Sequence, residues 1–130
     1  MIIAVCLEGA LSDPSHRNEL KNDSYEDYQA AVSEDVPNEK LINFLKRWDG
    51  EIAVYSTTPD NLRPAVLQWL LDRDLEVDKL ILKKKNDFRP DAEIKIGMVK
   101  SLDKECEVVV ENAMKVAEAL RADGYLVIQV

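Results

Sequence analysis

The stretch Val5-Cys6-Leu7-Glu8-Gly9 puts a thiol and a carboxylate two residues apart, where the apolar run Met1-Ile2-Ile3-Ala4-Val5 reaches a glycine. A thiol attacks or ligates as the thiolate, and a carboxylate can move a proton or hold a hard cation. Three more polar clusters close apolar or periodic runs: Tyr55-Ser56-Thr57-Thr58, Arg89-Pro90-Asp91 with Lys95, and Val110-Glu111-Asn112. If those runs are parallel strands, their carboxyl ends share one rim. The rim would then hold a thiol, two carboxylates, hydroxyls and an ammonium. Polar residues also stand wherever strands leave a core, so the clusters alone do not require a function.

The elements that must position them are legible as patterns. Residues 2–7, 51–55, 78–82, 107–110 and 125–130 are short, continuous apolar runs rich in β-branched residues. Such runs are expected of strands buried on both faces of a parallel sheet. Between them, Leu41, Phe44, Leu45 and Trp48 follow helical spacing after Pro37, as do Leu62, Val66, Leu70 and Leu71. Thr57 or Thr58 is the expected N-cap of the second helix. Residues 91–102 and 113–122 predict two more helices, the last stopping at Gly124. The alternation predicts one α/β domain over 1–130, with a five-stranded parallel sheet and helices on both faces. Residues 12–36 are polar, exceed what a crossover needs, and predict one or two short helices over the strand ends, like a small cap. Their composition predicts weaker protection than the sheet's.

Composition narrows the function classes. The chain has 130 residues, 46% of them hydrophobic, with 25 acidic against 17 basic residues and a net charge of −8. That balance argues against an extended grip on nucleic acid or an anionic membrane, although a local phosphate pocket is compatible with it. No run approaches a membrane span, and the opening residues lack the basic region and length of a signal peptide. Two cysteines 100 positions apart form neither a disulfide framework nor a metal-type spacing, so a reducing cytoplasm is the expected setting.

The four clusters, read as "VCLEGALSDPSHR", "VYSTTPDNLR", "DFRPDAEIK" and "VVVENAMKVAEALRADG", resemble in order the motifs of the haloacid dehalogenase (HAD) superfamily. The pattern is most similar to the phosphatase domain of polynucleotide kinases and its small phage-type relatives. The resemblance implies a HAD-like Rossmannoid three-layer sandwich and, in the family, Mg²⁺-dependent phosphoryl transfer. It places Cys6 where the family carries its nucleophilic, metal-binding Asp, and Glu8 where it carries the Asp that acts as general acid and base. Ser56, Thr57 and Lys95 fall at phosphate-binding positions, with Arg89 and Arg17 as further candidates. Glu111 and Asn112 fall where the family holds its metal. Thr58 stands where an arginine is often found, and Ala10 replaces a hydroxyl.

Those departures matter chemically. A carboxylate is ionised at neutral pH and suits Mg²⁺, whereas a thiol is mostly protonated and sulfur is a soft ligand. Glu8 keeps the acid but adds a methylene, and a misplacement of roughly 1 Å can cost about 10²-fold. No arginine stands six residues after Cys6, where a cysteine phosphatase needs one; Ser12 does. A soft-metal set of Cys6, Glu8, Glu111 and His16 has suitable donors without a known spacing. Three readings follow. The first is a pseudo-phosphatase that binds a phosphate or nucleotide end, or a protein partner, with Mg²⁺ weak or absent. The second is an altered metal-dependent phosphohydrolase of nucleotide or nucleic-acid 3′-phosphates. The third is a small interaction or inhibitor protein with an acidic surface.

Overall fold

The computed structural model describes every residue except 23, 103 and 104. Its chain order is β1 (Ile2–Cys6), β2 (Ser12–Asp13), a 3₁₀ turn (Ser15–Asn22), α1 (Tyr25–Ala30), a second 3₁₀ turn (Ala31–Glu34) and β3 (Val36–Pro37). Then come α2 (Glu39–Lys46), β4 (Glu51–Pro59), a 3₁₀ turn (Asp60–Leu62) and α3 (Arg63–Leu71). β5 (Lys79–Lys83), α4 (Asp91–Lys100), β6 (Cys106–Glu111), α5 (Met114–Ala122) and β7 (Leu126–Gln129) complete it.

The expected five strands form one parallel sheet in the order β5-β4-β1-β6-β7. β1 is central and every residue of it is buried, which explains why Ile2–Cys6 reads as a continuous apolar run rather than an alternating one. Right-handed crossovers put α2 and α3 on one face of the sheet and α4 and α5 on the other. Opposite Val5 stand Val54 on β4 and Val110 on β6, so β1, β4 and β6 end side by side. The chain reverses its direction of travel across the sheet at β1, which is where open α/β sheets form a crevice. Ile2 pairs with Cys106, so Cys6 lies four residues, about 13 Å, further along, and both thiols are free.

Local sequence explains the helices. Asn38 caps α2 by accepting from the Leu41 amide at 3.2 Å, and Leu41, Ile42 and Leu45 form its buried face. Gly124, at φ +96°, follows the end of α5. One expectation fails. α3 begins at Arg63 with no side-chain cap, because β4 runs on to Pro59 and carries Thr57 and Thr58 inside the strand.

The 12–36 segment is tied down more firmly than its polarity suggests. Val32 is buried in the core, and Arg17 and Asp35 are 1% exposed each. The Arg17 guanidinium donates to both Asp35 oxygens and to the Tyr28 carbonyl, and His16 Nε2 and Ser12 Oγ also meet the Asp35 carboxylate. Trp69 of α3 donates to the Asp35 carbonyl at 2.9 Å, fastening the segment to the main layer.

Candidate functional site

Above the ends of β1, β4 and β6 lies a cavity of about 490 Å³. Its floor includes Glu8, Gly9, Thr57, Thr58, Lys95 and Asn112; its opposite wall comes from the 12–36 segment, including Asp13, Arg17 and Tyr25. Gly9 is required where it stands. Its φ is +89°, and a Cβ there would collide with the Asn112 side chain.

Cys6, the last residue of β1, is fully buried, and its thiol donates to the Glu8 carbonyl at 3.3 Å. Burial pushes the thiol far above its ordinary range, the nearby Glu111 and Glu8 push the same way, and Lys95 offsets only part of this. It is a neutral thiol at physiological pH.

Glu8 leaves the turn and reaches across to β4. Ser56 Oγ donates to its two oxygens at 2.7 and 2.8 Å, and Thr58 Oγ1 donates to Oε1 at 2.8 Å. The Thr58 amide in turn donates to Ser56 Oγ at 2.9 Å. The hydroxyl absent from the cap of α3 is therefore spent on Glu8.

Glu111 ends β6, fully buried. Its Oε1 accepts from Tyr55 Oη at 2.8 Å, and its Oε2 accepts from the Asn112 and Ala113 amides at 2.8 Å each. Lys95 Nζ of α4 lies 3.6 Å from Oε2. Burial disfavours the Lys95 ammonium, but the net shift is upward; with Cys6 neutral, the charges that favour the ammonium are the Glu111 and Glu8 carboxylates. Burial, reinforced by Glu111, drives the Tyr55 phenol well above its usual range, so it stays a donor.

Cys6, Glu8, Ser56, Lys95, Glu111 and Asn112 thus meet at one place, with Thr57 beside them in the cavity floor. Arg17 lines the cavity too, but its guanidinium is committed to Asp35. Arg89 does not line it. Its side chain is exposed and turned to Asp87, at 2.7 Å, with Glu93 at 3.9 Å. His16 faces Asp35 at 2.7 Å instead of joining Cys6, Glu8 and Glu111 in a soft-metal set. Sequence reasoning did not anticipate Asp35, Tyr55 or the reach of Thr58 to Glu8. Only the alternation in β4, which points Ser56 and Thr58 to the same side, offered a signal for the last.

Three of the solved structures similar to this chain are informative. Two, described as the Pnkp1/Rnl/Hen1 complex and the Pnkp1/Rnl/Hen1 RNA repair complex, match 99% of it with TM-scores of 0.78 and 0.80 at 18% and 19% identity. The chain spans 45% and 42% of those chains, less than half of each. The third, a Thermotoga maritima protein assigned as a beta-phosphoglucomutase, matches 98% of this chain and 84% of its own with a TM-score of 0.57 at 18% identity. The chain has a HAD-like fold. In fold it resembles the polynucleotide kinase phosphatase domain. No family model and no curated protein sequence matches it.

The family resemblance implies Mg²⁺, and the donors present decide how that ion could be held. Mg²⁺ takes octahedral oxygen ligands and gives up its waters reluctantly. Here one position is a protonated thiol, both Glu8 oxygens accept from hydroxyls, and both Glu111 oxygens accept from Tyr55 and backbone amides. Among the described residues no group of three or more His, Cys, Asp or Glu side chains is placed to hold a metal. An Mg²⁺ ion at this place would have to share these already engaged oxygens.

Proposed function

We propose that this chain is a HAD-fold pseudo-phosphatase, a domain that binds a phosphate-bearing or nucleotide end at the strand-end cavity without cleaving it. The carrying observation is the state of Cys6: a buried, neutral thiol hydrogen-bonded to a carbonyl stands where an attacking carboxylate would be. Glu8 and Glu111 support the same reading, since both carboxylates already accept hydrogen bonds within the protein. What remains for binding is polar: the Lys95 ammonium, Thr57 and the exposed Asn112 amide all line the cavity.

A protein partner is the second reading, and a different surface favours it. Leu126, Ile128 and Val130 are 64%, 42% and 51% exposed along the edge strand β7 and the chain end beyond it. The two RNA repair assemblies are structures of complexes, which is compatible with either ligand class.

The test is hydrolysis of a generic phosphomonoester with Mg²⁺. The protein should show no turnover above background, because loss of the bond-forming residue costs on the order of 10⁴–10⁶ in kcat. Cys6→Asp with Glu8→Asp should recover measurable turnover, and Cys6→Asp alone should recover little. Robust Mg²⁺-dependent turnover by the unmodified protein, lost on Lys95→Ala, would establish the hydrolase reading instead.

A further inference from the structure

We propose that Glu8 is the resident occupant of an oxyanion seat built by Ser56 and Thr58, and that an incoming phosphate must displace it. This rests on the reading that the cavity binds phosphate, and adds to it what sets the affinity.

The argument begins with protons. A serine or threonine hydroxyl has one to donate. Ser56 directs its proton at the Glu8 carboxylate, 2.7 and 2.8 Å from the two oxygens, and Thr58 directs its own at Oε1, 2.8 Å away. The remaining capacity of Ser56 Oγ is taken by the Thr58 amide. Two hydroxyls that converge on a pair of carboxylate oxygens, with an ammonium in the same cavity floor, form the arrangement a phosphate needs, and Glu8 already fills the hydroxyl part of it. Position 8 can do this because the glutamate is long enough to span from the β1 turn to β4. The wall adds to the effect: Asp13 and Asp91 also line the cavity, while Arg17 and Lys95 each already face a buried carboxylate. A phosphate therefore meets a seat that is occupied by like charge.

Hydrogen bonds to charged groups are each worth about 1.5–3 kcal/mol, or roughly tenfold or more in affinity. Removing the competitor should release at least one such bond to the ligand. The experiment is titration of inorganic phosphate, followed by calorimetry and by ³¹P NMR, into the native protein and into Glu8→Ala, Glu8→Gln and Glu8→Ala/Ser56→Ala. Glu8→Ala should bind phosphate about tenfold tighter than the native protein or better. Glu8→Gln, which keeps the side chain's length and loses its charge, should fall between them; it also carries the test if Glu8→Ala does not fold. Ser56→Ala in the Glu8→Ala background should abolish most of the gain, which separates a freed hydroxyl from a mere loss of negative charge. Equal affinity in the native and Glu8 variants, no binding by any of them, or a gain that survives Ser56→Ala would overturn the proposal. Its failure is distinct from failure of the pseudo-phosphatase reading, which is decided by turnover of the unmodified protein.

Discussion

Replacing Asp35 by Asn should destabilise the protein severely, although position 35 lies in a polar segment outside the main sheet. Asp35 is buried and faces the equally buried Arg17 guanidinium through two hydrogen bonds. Asn keeps the shape but removes the charge, leaving a buried cation without its counter-ion. Breaking a buried pair by removing one partner costs about 3–5 kcal/mol. At this chain length about 1 kcal/mol shifts Tm by roughly 3–4 °C, so the expected loss is on the order of 10–20 °C. Circular dichroism melts and urea titrations of the native protein, Asp35→Asn and the double variant Asp35→Leu/Arg17→Met would measure it. The double variant should recover most of the loss, since replacing both charges with apolar groups of similar volume is often neutral. Limited proteolysis adds a spatial readout: Asp35→Asn should expose residues 12–36 to cleavage before the sheet region is touched. A loss below about 1 kcal/mol, or a double variant no better than the single one, would refute the view that this pair anchors the cavity wall.

Three further outcomes are expected. Gly9→Ala should cost about 2 kcal/mol or more in a urea titration, because φ +89° is penalised for any side chain and the Asn112 side chain fills the space; an unchanged midpoint would mean the turn relaxes freely. Both cysteines should be unreactive toward iodoacetamide in the native protein at pH 8 and yield two titratable thiols after unfolding without reductant, since Cys6 and Cys106 are buried, unpaired and raised in pKa by that burial. The Asp87 carboxyl should titrate at about 2 by NMR, held down chiefly by its hydrogen bond from Arg89. A lowered carboxylate favours the folded state above its unfolded pKa, and that contribution disappears as pH falls through about 2; in Arg89→Ala the titration should move back toward the ordinary carboxylate range.

The sheet was legible because its signal is dense. A strand buried on both faces needs unbroken β-branched and aliphatic residues, so Ile2–Cys6 and Cys106–Glu111 could be located within a residue or two from composition alone. The rim followed from topology, since parallel strands carry their ends to one side whatever the side chains are. What pattern could not supply was pairing. Arg17 and Asp35 stand 18 residues apart in a segment whose polarity reads as a solvated loop, and neither period nor spacing says that two of its charges will find each other in the interior. The same gap hid the end of β4, where Thr57 and Thr58 look like helix caps until Glu8 claims the Thr58 hydroxyl.

Glu8 shows why residue type and geometry had to be combined. Read as chemistry, the extra methylene only displaces an acid by roughly 1 Å from where a shorter one would act. In the folded chain the same methylene carries the carboxylate to the two hydroxyls of β4, and a mispositioned acid becomes a satisfied one. A thiol rather than a carboxylate at position 6 suits the same arrangement. Three carboxylates converging on Lys95 would repel one another without a metal to neutralise them, whereas a neutral thiol leaves Glu8 and Glu111 to be balanced by one ammonium, hydroxyls and amides. Cys6 and Glu8 therefore form a coupled pair, and restoring either position alone should disturb the other's balance before it restores any chemistry.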